Sequence, residues 1–215
     1  MIAAATREVD EYGPPGAYSS CPCPGRALVV AGPVVPNDQE FRVSSSSFPA
    51  GTDLTTDRLV LRPWSADELA AVLGDVRSAD WAEDFPAEGD QVIAGVVAEQ
   101  SDVPRRYGHR QIVERTTGLV VGSISLLWPP NDGALEIGYG VVASRRGRGY
   151  AAEATRALVA YALTSPQVDI VYADVELSNP ASIRVLEKAG LRRWSGDATT
   201  ARFRATAPEP NRRRP

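Results

Sequence analysis

The sequence predicts a single α/β (α+β) domain, a mixed central sheet with helices on both faces. Three observations predict it. Short runs with strand-like alternation recur from Arg58-Leu-Val-Leu-Arg62 to Thr200–Thr206. Helical stretches with recognisable start and stop residues lie between them. The order along the chain reads β-α-α-β-β-β-α-β-α-β-β, which a helix-covered mixed sheet buries most simply.

Each element has its own signal. Arg58–Arg62 alternates as a strand, and Pro63 stops it. Ser65-Ala-Asp-Glu68 has the spacing of a capping box and opens a helix from Asp67 to about Val76. Trp81-Ala-Glu-Asp-Phe-Pro86 is aromatic and acidic without a clear period. Asp90–Glu99 reads as a second short helix, weakened by Gly95. Arg110–Glu114 and Leu119–Trp128 are strands around an Arg115-Thr-Thr-Gly118 turn. Pro129-Pro-Asn-Asp-Gly133 turns the chain into a third strand, Ala134–Val142. The next helix runs from about Gly149 to Leu163, with Ala154, Leu158 and Ala162 on one stripe. Ile170–Leu177 is a strand. Asn179 and Pro180 then supply a cap and a first-turn proline, and Gly190 ends that helix. Leu191–Trp194 and Thr200–Thr206 form a final hairpin.

The domain spans residues 52–206. Residues 1–51 are rich in Pro, Gly, Ser and Ala and read as a flexible extension. Residues 207–215 read as a basic, disordered tail. Apolar residues make up 43% of the 215, enough for a core, yet no run of about 18 apolar residues suggests a membrane span. The first residues lack the basic start and apolar stretch of a secretory leader, so a cytoplasmic location is expected. Cys21 and Cys23 are too close in sequence for an ordinary disulfide, and the single histidine, His109, is remote from them. No metal centre is expected. A net charge of −4 disfavours a nucleic-acid partner.

The strongest chemical signal is Val142-Ala-Ser-Arg-Arg-Gly-Arg-Gly-Tyr-Ala151. A strand ends, a basic glycine-rich turn follows, and a long helix begins. Free N–H groups at a helix start favour an anion, Gly147 and Gly149 let the backbone approach it, and the arginines add positive potential. The dinucleotide and phosphate-loop fingerprints are both absent. In the preceding strand, Leu135, Ile137, Tyr139 and Val141 share one face, and Glu136, Gly138, Gly140 and Val142 the other. The second face holds one carboxylate and two positions without side chains. That leaves room for an extended, amide-bearing cofactor arm, or else marks a bulge or a close-packed helix.

On these residues the chain resembles the GCN5-related N-acetyltransferase (GNAT) family, in the branch similar to ribosomal-protein N-terminal acetyltransferases. The family's acyl-CoA signature appears as Arg146-Gly-Arg-Gly149-Tyr-Ala151. Its second signature appears as Asn179-Pro-Ala-Ser182, followed by a helix ending at Gly190. Thr56-Asp-Arg-Leu-Val-Leu-Arg-Pro63 is typical of the branch, and the likeness runs from about Leu54 to Leu191. The resemblance implies the acyl-CoA N-acyltransferase fold, with acetyl-CoA as cofactor and an amine acceptor, either a small molecule or a protein N-terminus. It implies that backbone amides of Arg146, Gly147, Arg148, Gly149, Tyr150 and Ala151 hold the pyrophosphate. It further implies a bulge near Gly138–Gly140, where this strand splays from Ile170–Leu177 and the pantetheine arm pairs beside Val141 and Val142. Asn179 contacts that arm, orders the junction, or simply caps its helix.

Acylation of an amine requires deprotonation of an ammonium that titrates near about 8 to 10.4, polarisation of a thioester carbonyl, and a stabilised leaving thiolate. Glu136 is the first candidate for general base and Asp174 the second. Either acid alternatively binds the acceptor ammonium, and Glu136 alternatively pairs with an arginine on a neighbouring strand. Ser182 is the candidate thiolate partner, because the position where some relatives carry a tyrosine is Leu186. The sequence suggests no Ser–His pair. Trp81, Glu83, Asp84 and Phe85 are candidates for an acidic aromatic acceptor patch, their alternative being a packed core with solvated acids. A monomer or homodimer is expected. The competing reading is a non-catalytic acyl-CoA-binding sensor or scaffold.

Overall fold

The computed structural model of the protein describes residues 52–74, 76–99 and 108–207. The expected extension (1–51, with Cys21 and Cys23) and residues 208–215 of the expected tail lie outside the described residues.

The first element of the described residues is a two-residue strand that no sequence pattern marks, β1 (Leu54–Thr55), paired with β2 (Leu59–Pro63). The capping box forms as read. Ser65 Oγ accepts the Glu68 N–H at 3.2 Å, Glu68 Oε2 accepts the Ser65 N–H at 2.8 Å, and α1 (Ala66–Leu73) follows. This helix stops short of Val76 because Gly74, a poor helix former, comes next, and its N–H closes on the Ala70 carbonyl at 2.8 Å. The second helix, α2 (Glu88–Glu99), starts two residues before the expected Asp90.

β3 (His109–Glu114), β4 (Val120–Asn131) and β5 (Ala134–Val141) form the antiparallel meander. Its second turn is tighter than Pro129–Gly133. Both prolines stay in β4, and only Asp132 and Gly133 turn, with φ of +48° and +73°. Two positive φ values are what a two-residue hairpin requires. The β4–β5 register shifts between Leu127 and Asn131, which accommodates two residues without N–H donors.

The remaining elements are α3 (Tyr150–Ala162), β6 (Ile170–Glu176), α4 (Pro180–Ala189), β7 (Arg192–Gly196) and β8 (Thr200–Thr206). The strands make one sheet in the order β1-β2-β3-β4-β5-β6-β8-β7, antiparallel throughout except for β5 beside β6. No helix among the described residues is long and apolar enough to cross a membrane.

Alternation sorts the two faces as the sequence indicates. Leu135, Ile137 and Tyr139 are buried together with Val171, Ala173 and Val175, under α3 and α4. The α3 stripe of Ala154, Leu158 and Ala162 is fully buried against them. Each buried leucine or isoleucine there contributes roughly 1.5–3 kcal/mol. Glu136, Gly138, Gly140 and Val142 take the opposite face. There β4 sets Ser125 across from Gly138 and Ser123 across from Gly140, and α2 reaches down through Asp90 to Ser123.

The feature that positions the site is where the sheet parts. β5 and β6 pair only at Ala134↔Ile170, Leu135↔Val171 and Glu136↔Tyr172. Beyond Glu136, β5 continues to Val141 bonded to β4 alone, and β6 continues to Glu176 bonded to β8 alone. The expected bulge near Gly138–Gly140 is not present, since the β4–β5 register runs unbroken from Glu136 to Val141. The gap opens instead by separation of two regular strands. On its other side β5 is pressed against β4 so closely that a Cβ on Gly122 would lie 2.1 Å from the Gly140 carbonyl oxygen.

Candidate functional site

A crevice outside the carboxyl ends of parallel strands is where open α/β sheets place ligands. Here both strands that flank the gap lead to helix starts, β5 to α3 and β6 to α4.

After β5, the Val142 N–H still bonds the Val121 carbonyl at 3.0 Å. A single 3-10 turn, Ala143–Arg145, follows. Asp84 braces it by accepting the Ser144 N–H at 2.9 Å and the Ser144 hydroxyl at 2.7 Å. Then come Arg146, Gly147, Arg148 and Gly149, all exposed, with φ of +76° at Gly147 and +82° at Gly149. Gly149 is the N-cap of α3 and offers no side-chain cap. The N–H groups of Tyr150, Ala151 and Ala152 precede the first i→i−4 bond, which is Glu153 N–H to Gly149 carbonyl at 3.1 Å. An open first turn at the positive end of a helix fits a pyrophosphate. Arg146 folds back so that its Nε donates to the Val141 carbonyl at 3.0 Å, on the strand edge expected to meet the pantetheine arm.

Behind this turn lies a layer of charge the sequence reading did not find. Glu114, buried at the end of β3, accepts hydrogen bonds from the Tyr150 and Thr117 hydroxyls and faces Arg145 at 3.7 Å and Arg148 at 3.6 Å. The Tyr150 and Thr117 donors hold its carboxyl below the usual range. Arg58, on the approach to β2, lies over the Tyr150 ring at 5.0 Å and bonds Glu153 of α3. The only early signal for this layer was the Thr56–Pro63 motif, whose partners are nearly a hundred residues away.

The catalytic candidates flank the gap where it closes. Glu136 is half-buried at the last paired position before the strands part. Asp174 is across the gap and is bound by a two-pronged pair, Arg202 Nε to Oδ1 at 2.8 Å and Nη2 to Oδ2 at 2.6 Å. Arg202 also stacks over Tyr172 at 4.5 Å. Its guanidinium is pushed further up in pKa by the Asp174 hydrogen bond, against the effect of burial, with the charge of Glu136 adding to it. Glu136 therefore acts electrostatically on an arginine two strands away, while Asp174 is committed to that arginine directly.

Asn179 and Ser182 meet at the start of α4. Asn179 Oδ1 accepts the Ser182 N–H at 3.2 Å as a helix cap, and the buried Tyr139 hydroxyl donates to the Ser182 carbonyl at 3.2 Å. Burial pushes the Tyr139 phenol up, outweighing that hydrogen bond, so it is a poor acid. Leu186 is fully buried in the core.

The expected acceptor segment divides differently. Trp81 and Phe85 are packed inside, 5.2 Å apart in an edge-on pair, with Trp64 stacked 6.0 Å from Phe85. They form no exposed patch. Asp84 is spent on Ser144. Burial would raise its carboxyl, but the Ser144 donors and Arg145 hold it low. Glu83 alone points to solvent. What the sequence reading missed lies on the glycine face of β3 and β4. His109 and Ser125 form a Ser–His pair there, correcting the expectation of none, and Asp90 bonds Ser123. Trp64, Leu69, Asp90, Ile93, His109 and Ser123 come together between α1, α2 and the sheet. Burial lowers the His109 imidazole to about 4, leaving it neutral. The available signal was the i, i+2 spacing of His109 with Gln111 and of Ser123 with Ser125, which puts four polar groups on one sheet face.

A family model described as acetyltransferase (GNAT) domain matches residues 58–192. The chain belongs to the GNAT acetyltransferase family. Its fold is that family's acyl-CoA N-acyltransferase fold. A relative described as an uncharacterized N-acetyltransferase of Bacillus subtilis is 35% identical over 80 residues, which cover 37% of this chain and 48% of the relative. The match thus spans about half the length of that relative. A GNAT-family acetyltransferase from Bordetella pertussis, described as putative, has a solved structure that is 27% identical. It covers 71% of this chain and 98% of its own, with a TM-score of 0.53. A ribosomal-protein α-N-acetyltransferase solved with coenzyme A is 16% identical over 72% of this chain and 98% of its own, with a TM-score of 0.53. That last likeness is one of fold.

Proposed function

We propose that this GNAT chain moves an acetyl group from acetyl-CoA to a primary amine by direct attack in a ternary complex. The observation that carries this reading is the parting of β5 and β6 beside the uncapped first turn of α3. A thioester on a phosphate-bearing arm needs both parts, an anion nest at one end and a slot between strands at the other. The acceptor is a small amine or a protein N-terminus.

In this reading the amides of residues 146–151 hold the pyrophosphate, and the Val141–Val142 edge lies along the pantetheine arm. Glu136, at the closed end of the gap, removes the ammonium proton directly or through a water. The amine nitrogen then bonds the carbonyl carbon as the C–S bond breaks. Ser182 stands at the positive end of α4, where a leaving thiolate is stabilised by a hydroxyl donor and the helix dipole. Asp174 is the less suitable base because Arg202 occupies both of its oxygens.

The test is thiol release from acetyl-CoA across a panel of amines. Turnover is expected with at least one amine, and Glu136→Gln is expected to lower kcat by about 100-fold while CoA still binds. Tight CoA binding with no turnover on any amine, protein N-termini included, would replace this reading with that of an acyl-CoA sensor.

A further inference from the structure

The Thr56–Arg58 segment has no part in the chemistry above, yet it is fastened to the phosphate turn and to the first turn of α3 by several bonds. Glu153, in the first turn of α3, is the hub. It accepts the Thr56 hydroxyl at 2.6 Å and the Arg58 N–H at 3.0 Å through one oxygen, and Arg58 Nε at 2.7 Å and Nη2 at 2.6 Å through the other. Held there, Arg58 extends Nη1 to the Arg148 carbonyl at 2.9 Å. Arg115 anchors the segment from behind, with Nη1 on the Thr56 and Asp57 carbonyls at 2.9 and 2.7 Å.

The bond to the Arg148 carbonyl matters because of the peptide plane. In a trans peptide the carbonyl of one residue and the N–H of the next point in opposite directions. Pulling the Arg148 carbonyl toward Arg58 turns the Gly149 N–H away from Arg58, to the other side of the turn. Gly149 itself sits at φ +82°, and a Cβ there would be in ordinary contact with Arg58 Nη2, at 3.4 Å. We propose that Arg58, locked by Glu153, is a positioning residue that aims the Gly149 N–H into the anion nest and so sets affinity for the phosphate-bearing part of the donor.

This rests on the reading that the turn holds pyrophosphate, and the experiment separates the two ideas. Kinetics are measured with acetyl-CoA and with S-acetylpantetheine, which keeps the thioester arm but has no phosphates. For the native chain, kcat/KM should be far higher with acetyl-CoA. Equal use of both donors would remove the pyrophosphate reading and this one together. Arg58→Ala should raise KM for acetyl-CoA about 10-fold, with kcat at saturation little changed. Its kcat/KM for S-acetylpantetheine should match the native value. Glu153→Gln should shift the same parameter in the same direction, and Arg58→Lys, which keeps the charge but loses the fork, should fall between. A preference for acetyl-CoA that is undiminished in Arg58→Ala would overturn the proposal. So would an equal loss with both donors in a variant whose melting temperature is unchanged.

Discussion

Two helices begin at the carboxyl ends of two parallel strands, a few residues from the same gap, and they begin differently. At α4 the terminus is closed. Asn179 lends its side-chain oxygen to the Ser182 N–H, and Pro180 fills the first turn without an N–H to satisfy. At α3 the terminus is open. A left-handed glycine stands where a capping side chain would be, and the first N–H groups have no side-chain partner. Open helix ends are costly, so the protein holds this one from behind instead, through Arg58, Asp84 and Glu114. The contrast teaches that the local stability given up at α3 is recovered outside the nest, leaving its inner side to a ligand.

The largest effect should come from closing the open end. Gly149→Val forces a β-branched residue into φ +82°. It should weaken CoA binding by at least roughly 100-fold by calorimetry. Retained affinity would show that the turn is not the anion site.

The next effect concerns the polar layer between α2 and the sheet, away from both helix starts. His109 is held near 4, against an unfolded value of 6.5. The unfolded chain therefore binds the extra proton first as pH falls. Stability should be full above about pH 6.5 and should drop by about 3 kcal/mol by pH 4. Denaturant unfolding across that range would read this, and His109→Gln should flatten the profile. An unaltered profile in the variant would assign the acid loss to other groups.

The smallest effect belongs to the closed end. Asn179→Ala should cost about 1 kcal/mol of unfolding free energy through the lost cap. It should leave the Kd for CoA within about two-fold, because the cap bond is internal to α4. A large loss of CoA affinity would mean that Asn179 reaches the donor, and that the two helix starts are more alike than their caps suggest.

Much of the fold was legible in local chemistry. The Ser65–Glu68 capping box, the Asn179–Pro180 start, the Gly190 stop and the alternation of Leu135 to Val142 each concern residues within a few positions of one another, where propensity and period carry the information. The errors were also local in kind. Five residues from Pro129 to Gly133 looked like turn chemistry, but the Asp132–Gly133 pair sufficed and the prolines were absorbed by a register shift. Trp81 and Phe85 looked like a recognition patch because composition cannot tell an exposed aromatic from one packed beneath a helix.

The amino-acid sequence by itself determined the order of the elements, the bare strand, the left-handed glycines and the uncapped start of α3, because these depend on dihedral preferences and spacing along a short stretch. Only the tertiary structure decided that Arg202 takes both oxygens of Asp174, that His109 pairs with Ser125, and that Arg58 and Glu153 grip the phosphate turn from behind. Those partners lie between 16 and 95 residues apart in the chain. No local preference encodes such a pairing, and it exists only once strand register and helix packing have brought the groups together.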